Sequence, residues 1–94
     1  MASKRETVLA QYRKQLQDEG FSHTYVWEDG PNARYPEHTH AVETAHIILD
    51  GEMTVEMEGG SRTYCPGQRC DVPAGAAHAA FMGRAGCRYL IGER

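Results

Sequence analysis

The chain has 94 residues, 10 of them basic and 13 acidic, for a net charge of −3. That length suits one domain and leaves no room for a second catalytic or regulatory unit. With 40% apolar and 9% aromatic residues it reads as globular and not as a disordered chain. No basic run extends beyond Lys4-Arg5 and Arg13-Lys14, so nucleic acid is excluded as a partner. No apolar run nears the roughly 18 residues of a membrane helix. The polar stretch Met1 to Lys14 has no signal core, so membrane attachment is not expected and a cytoplasmic protein is.

The three cysteines, Cys65, Cys70 and Cys87, are odd in number and form no C-x-x-C pair. A disulfide framework is therefore not expected, and each is read as a small buried hydrophobe. A small chain with a mean hydropathy of −0.61 then has to draw stability from a compact core, a dimer partner or a metal.

In chain order, Ser3 followed by Glu6 has the form of a capping box. Val8, Leu9, Tyr12 and Leu16 repeat at helical spacing until Gly20, which predicts a helix from about residue 4 to 19. After Gly20 the period changes to two. His23, Tyr25 and Trp27 mark a strand, with the two aromatics expected in a core, a dimer seam or under the helix. Asp29-Gly30-Pro31-Asn32 predicts a turn. Further strands are predicted over 37–41, 44–50, 53–57, 61–65, 69–72, 78–82 and 87–91. Gly51, Gly59-Gly60, Pro66-Gly67, Pro73-Ala74-Gly75 and the stretch from Gly83 to Gly86 separate them. Many short strands punctuated by Gly and Pro argue an all-β sandwich or barrel behind one N-terminal helix.

Five histidines are present, and three fall within His38-Thr39-His40-Ala41-Val42-Glu43-Thr44-Ala45-His46. Residues two apart on a strand share a face, so His38 and His40 point together, and Thr44 and His46 share a face on the next strand. Imidazole suits zinc, copper, iron and nickel, and manganese when carboxylates join it. The competing reading is a polar cavity or a wet surface. His23 stands alone and reads as exposed. Met53, Val55 and Met57 alternate toward one face, and Phe81 and Met82 are candidates for a cavity wall.

Two spaced patterns carry a resemblance. His38-x-His40-x3-Thr44-x6-Gly51 and Gly67-x5-Pro73-x-Gly75-x2-His78 resemble the two signature motifs of the cupin family, G-x5-HxH-x3,4-E-x6-G and G-x5-P-x-G-x2-H-x3-N. The likeness covers about residues 20 to 91. It implies a cupin-type jelly-roll β-barrel, with a helical segment over 1–20 and the barrel over 21–94. It also implies a divalent transition metal (Zn, Ni, Mn, Fe or Cu) inside the barrel, with His38, His40 and His78 on the family's ligand positions. The sequence departs from the pattern at Asn32 for the first glycine, at Met82 for the last asparagine, and at Thr44 for the ligand glutamate. Three arrangements follow: three histidines with water in the remaining positions, a fourth ligand from Glu43 or His46, or a vacant site. Glu43 needs a bulge to turn inward, and His46 lies one pleat deeper, about 6.6 Å along the strand.

Two functions fit these residues, beside a third reading as a structural dimer or an interaction partner in a larger assembly. One is a metal-dependent enzyme of dioxygenase, isomerase or lyase type acting on a small molecule. The other is a non-catalytic module that binds a small molecule without metal because Thr44 replaces the glutamate. A homodimer is expected in either case.

Overall fold

The computed structural model describes residues 3–94. Helix α1 spans Lys4–Asp18, and six strands follow: β1 His23–Asp29, β2 Arg34–His38, β3 Thr44–Met57, β4 Gly60–Tyr64, β5 Arg69–Val72 and β6 His78–Glu93. All strand pairs among the described residues are antiparallel. Among the described residues no helix is long and apolar enough to cross a membrane.

The helix ends are set by local chemistry. The Ser3 hydroxyl accepts the Glu6 backbone N–H at 3.1 Å, satisfying one of the free donors of the first turn. At the other end Gly20 adopts φ +97°, a conformation that suits glycine. The Phe21 N–H then reaches the Leu16 carbonyl at 2.9 Å, and the Gly20 N–H reaches that of Gln17 at 3.0 Å. This cap brings Leu16 and Phe21 together, both fully buried, against Ala45, Ile47 and Leu90 on the outer face of the sheet. The Arg69 guanidinium also grips the Glu19 carboxylate through two 2.8 Å bonds. Burying one such leucine is worth about 2 kcal/mol. An exposed ion pair is worth about 1 kcal/mol or less, so apolar contact is the main attachment of the helix.

The strands expected at 44–50 and 53–57 are one continuous strand, β3, and those at 78–82 and 87–91 are one strand, β6. The glycines between them turn corners without ending the pairing. From Gly51↔Cys87 to Met53↔Met82, one residue of β3 faces four of β6, a large bulge that bends both strands. Gly51 and Gly86 both have φ +78°, and a Cβ on Gly51 would lie 2.1 Å from the Gly86 carbonyl oxygen. Two other boundaries also differ from expectation. β2 lies at 34–38, not 37–41, and the β3–β4 turn is centred on Glu58-Gly59 (φ 55° and 76°), one residue before Gly59-Gly60. Positive φ at both central residues matches the twist of the flanking strands.

The bend divides the sheet into two leaves that share β3 and β6. One leaf runs β1–β6–β3–β5 and the other β2–β6–β3–β4. Strand alternation then sorts the side chains. Ala45, Ile47 and Leu90 face the helix. Ile48, Met53, Val55, Val72, Met82, Tyr89 and Ile91 form the inner core between the leaves. Phe81 is absent from this wall and lies under the Arg34 guanidinium. Cys70 and Cys87 are buried as expected, but Cys65 is exposed because it precedes the Pro66-Gly67 turn.

Candidate metal centre

A cavity of about 520 Å³ opens between the two leaves, and the two spaced histidine patterns meet in its wall. His38 ends β2 and His78 begins β6, where they are directly opposed in the ladder. His40 lies just beyond β2, and its carbonyl accepts the Gly75 N–H at 2.9 Å. The glycine of the second pattern thus holds the backbone of the first. The three ring centroids lie 4.3, 4.8 and 5.1 Å apart. One potential ligand nitrogen from each ring lies within 4.8 Å of the others.

The backbone selects which nitrogen is free. His38 Nδ1 is 2.7 Å from the Pro36 carbonyl, and His78 Nδ1 is 3.0 Å from that of Ala76. A carbonyl only accepts, so each Nδ1 carries the proton and donates, and each Nε2 keeps its lone pair. Metal-binding histidines are commonly oriented by such a bond on the far nitrogen. Burial lowers the pKa of His40, and charge on His38 and His78 lowers it further, while Glu93 opposes the shift. Three convergent neutral imidazoles are a donor set for zinc, nickel, copper or iron.

The remaining expected residues are placed as follows. His46 lines the cavity but stands outside the three-histidine group. Its Nδ1 is buried without a hydrogen-bond partner among the described residues, and burial pushes its pKa down to about 4. Thr44, 4% exposed, also faces the cavity, and its Oγ1 has no partner either. Glu43 points elsewhere, in an ion pair with Arg94 (3.0 and 3.1 Å), while its backbone exchanges two hydrogen bonds with Arg94. His23 is exposed, 5.1 Å from the Tyr25 ring.

The mouth of the cavity is aromatic. Trp27 lies neither in this chain's core nor under the helix: it is 50% exposed at this rim, a position a dimer seam could still cover. Its indole N–H donates to Asp29 at 3.1 Å, and the same carboxylate accepts the Tyr35 and Tyr89 hydroxyls at 2.7 and 2.8 Å. Burial, followed by the Asp29 hydrogen bond, raises the Tyr89 pKa, so this phenol stays protonated and donating. Sequence reasoning did not single out Tyr35, Tyr89, Asp29 or Glu93. Extending the two-residue period from Tyr89 through Ile91 to the end of β6 would have placed Glu93 on the inner face.

The Cupin domain family model matches residues 25–90, which span both histidine patterns and the cavity wall from Tyr25 to Tyr89, leaving Ile91 and Glu93 just beyond the match. The chain is a cupin. No curated protein matches it. Among solved structures, this cupin is similar to the DMSP lyase DddQ from Ruegeria pomeroyi DSS-3, at 32% identity and TM-score 0.69, over 76% of this chain and 36% of that one. It is similar in fold to KdgF from Halomonas sp., at 22% identity and TM-score 0.65, over 76% of this chain and 67% of that one. It also resembles a protein of unknown function from Rhizobium leguminosarum bv. viciae 3841, at 21% identity and TM-score 0.70, over 74% and 66%. The cupin thus spans about a third of the DMSP lyase chain and about two thirds of the other two.

Proposed function

We propose that this cupin binds a divalent transition metal through His38, His40 and His78 and uses the cavity in front of it to bind and transform a small molecule. The observation that carries the reading is the convergence of three imidazoles, two of them fixed by backbone carbonyls with Nε2 free. A metal held by neutral ligands keeps its full positive charge and supplies Lewis-acid chemistry to a bound oxygen or carbonyl group. The chain's own part is to orient the rings, exclude water with the Met53, Val55 and Met82 wall, and present Thr44, Glu93 and the rim tyrosines to the ligand. A fourth ligand from His46 requires a metal seated one pleat deeper than the three-histidine point. The likeness to a DMSP lyase supports lyase-type chemistry among the reactions such a site allows and makes DMSP the first compound to test. A homodimer is part of the proposal, supported by the exposed apolar surface of Trp27, Tyr35 and Val42 at the rim.

Elemental analysis of protein purified without an affinity metal should find about one transition metal per chain, and His78→Ala should remove it. A metal-free protein whose melting temperature ignores both chelator and added Mn, Fe, Ni, Cu or Zn would refute the metal reading. A second reading, a metal-free binding module, is favoured by one observation: Thr44 stands where the pattern has a ligand glutamate. It predicts small-molecule binding that survives both chelator and His78→Ala.

A further inference from the structure

The cavity wall has an uneven distribution of charge. Among the described residues no Lys or Arg lines it, and Glu93 is its one carboxylate. Glu93 is also the direct ladder partner of Thr44. Directly opposed residues in an antiparallel pair project to the same face, with Cβ atoms about 4.5–5.5 Å apart. Glu93 therefore enters the cavity beside the position where the cupin pattern has its glutamate, from the neighbouring strand. The Tyr25 hydroxyl donates to its Oε2 at 3.3 Å, while Oε1 has no partner among the described residues. Thr44 offers only a neutral, buried hydroxyl, itself without a partner among the described residues. Glu43, the other nearby acid, is occupied by Arg94.

We infer that Glu93 is the carboxylate of this centre, moved across the β3–β6 ladder from position 44. The inference rests on the metal reading above. The Glu93 carboxylate lies outside the three-histidine group, so it acts as the counter-charge of a dication held by neutral imidazoles. Its free oxygen accepts an N–H or O–H from whatever occupies the open coordination positions. A buried dication without a compensating anion is strongly disfavoured, and within this wall Glu93 is the residue that supplies one. Tyr25 is a positioning residue, since it holds one oxygen and leaves the other facing inward.

The test is the affinity of the full chain for Zn and Ni, read by competition with a chelating dye. Glu93→Gln keeps the size and the Tyr25 contact but removes the charge. It should weaken metal binding about tenfold or more, the range seen for partners just outside the ligand shell, while the melting temperature of the metal-free protein stays close to native. Thr44→Glu added to Glu93→Gln should restore the affinity. In the otherwise native chain, Thr44→Glu should gain less than it does beside Glu93→Gln, because a carboxylate is already present. Affinity within twofold of native for Glu93→Gln would overturn the inference, as would equal gains from Thr44→Glu in both backgrounds. Should Glu93→Gln not fold, a gain of about a hundredfold from Thr44→Glu alone would also overturn it, since the centre would then have lacked a carboxylate. A native chain that binds neither metal would instead remove the metal reading itself.

Discussion

His46 makes the metal-free protein sensitive to mild acid. Its Nδ1 is buried with no hydrogen-bond partner among the described residues, and burial holds its pKa at about 4, against 6.5 for an ordinary histidine. In the unfolded chain the imidazole takes up a proton as pH falls below about 6.5, whereas the folded chain resists protonation until about pH 4. The unfolded state then binds more protons, so stability is lost across that window and is fully present above it. At about 1.4 kcal/mol per pH unit, His46 alone costs roughly 2.5 kcal/mol between pH 7 and pH 4.5. His46→Leu removes this contribution while filling similar space. At pH 7 the variant should fold with stability within about 1–2 kcal/mol of native, because it also removes an unpaired buried nitrogen. The assay is urea unfolding of chelator-treated protein at both pH values. Other acids titrate in both proteins, so the measured quantity is the native-minus-variant difference. That difference should shift against the native protein by about 2.5 kcal/mol on acidification. Parallel pH profiles, differing by less than about 1 kcal/mol, would mean that His46 titrates as an ordinary exposed histidine and would refute the reasoning.

Two further outcomes follow from the packing. Leu16→Ala should lower unfolding free energy by about 3 kcal/mol in a urea titration, since Leu16 is fully buried under the cap formed with Phe21. Metal affinity should be retained, because Leu16 packs on the sheet face away from the cavity. Gly51→Ala should abolish the folded state or cost several kcal/mol, since its φ is +78° and the new Cβ would fall 2.1 Å from a backbone oxygen. Circular dichroism and thermal melting would show which.

The histidines were legible in the sequence because their chemistry depends on spacing. His38 and His40 keep a two-residue offset, and Pro73-x-Gly75-x2-His78 fixes the turn that returns His78 to them. The helix was legible for the same reason, since Ser3, Leu16 and Gly20 act locally. The continuity of β3 and β6 was not. Gly51 and the stretch from Gly83 to Gly86 carry the composition of turns, and only the partner strand reveals that pairing continues through the bend. Glu93 and Asp29 were missed because their significance lies in tertiary contacts, most of them with residues far away in sequence. Glu93 matters through Thr44 and Tyr25, and Asp29 through Tyr35 and Tyr89.

The shared strands have a mechanical consequence. A clam-shell enzyme opens because its halves are joined by a soft connection that rotates. Here both walls of the cavity are cut from the same two strands, and β3 and β6 stay bonded to each other on either side of the bend. Separating the leaves would tear main-chain bonds and not swing a hinge. In the proposed function a ligand would therefore pass the Trp27 and Tyr35 rim of an already formed vessel, with selection by size falling to those side chains and not to a closing motion.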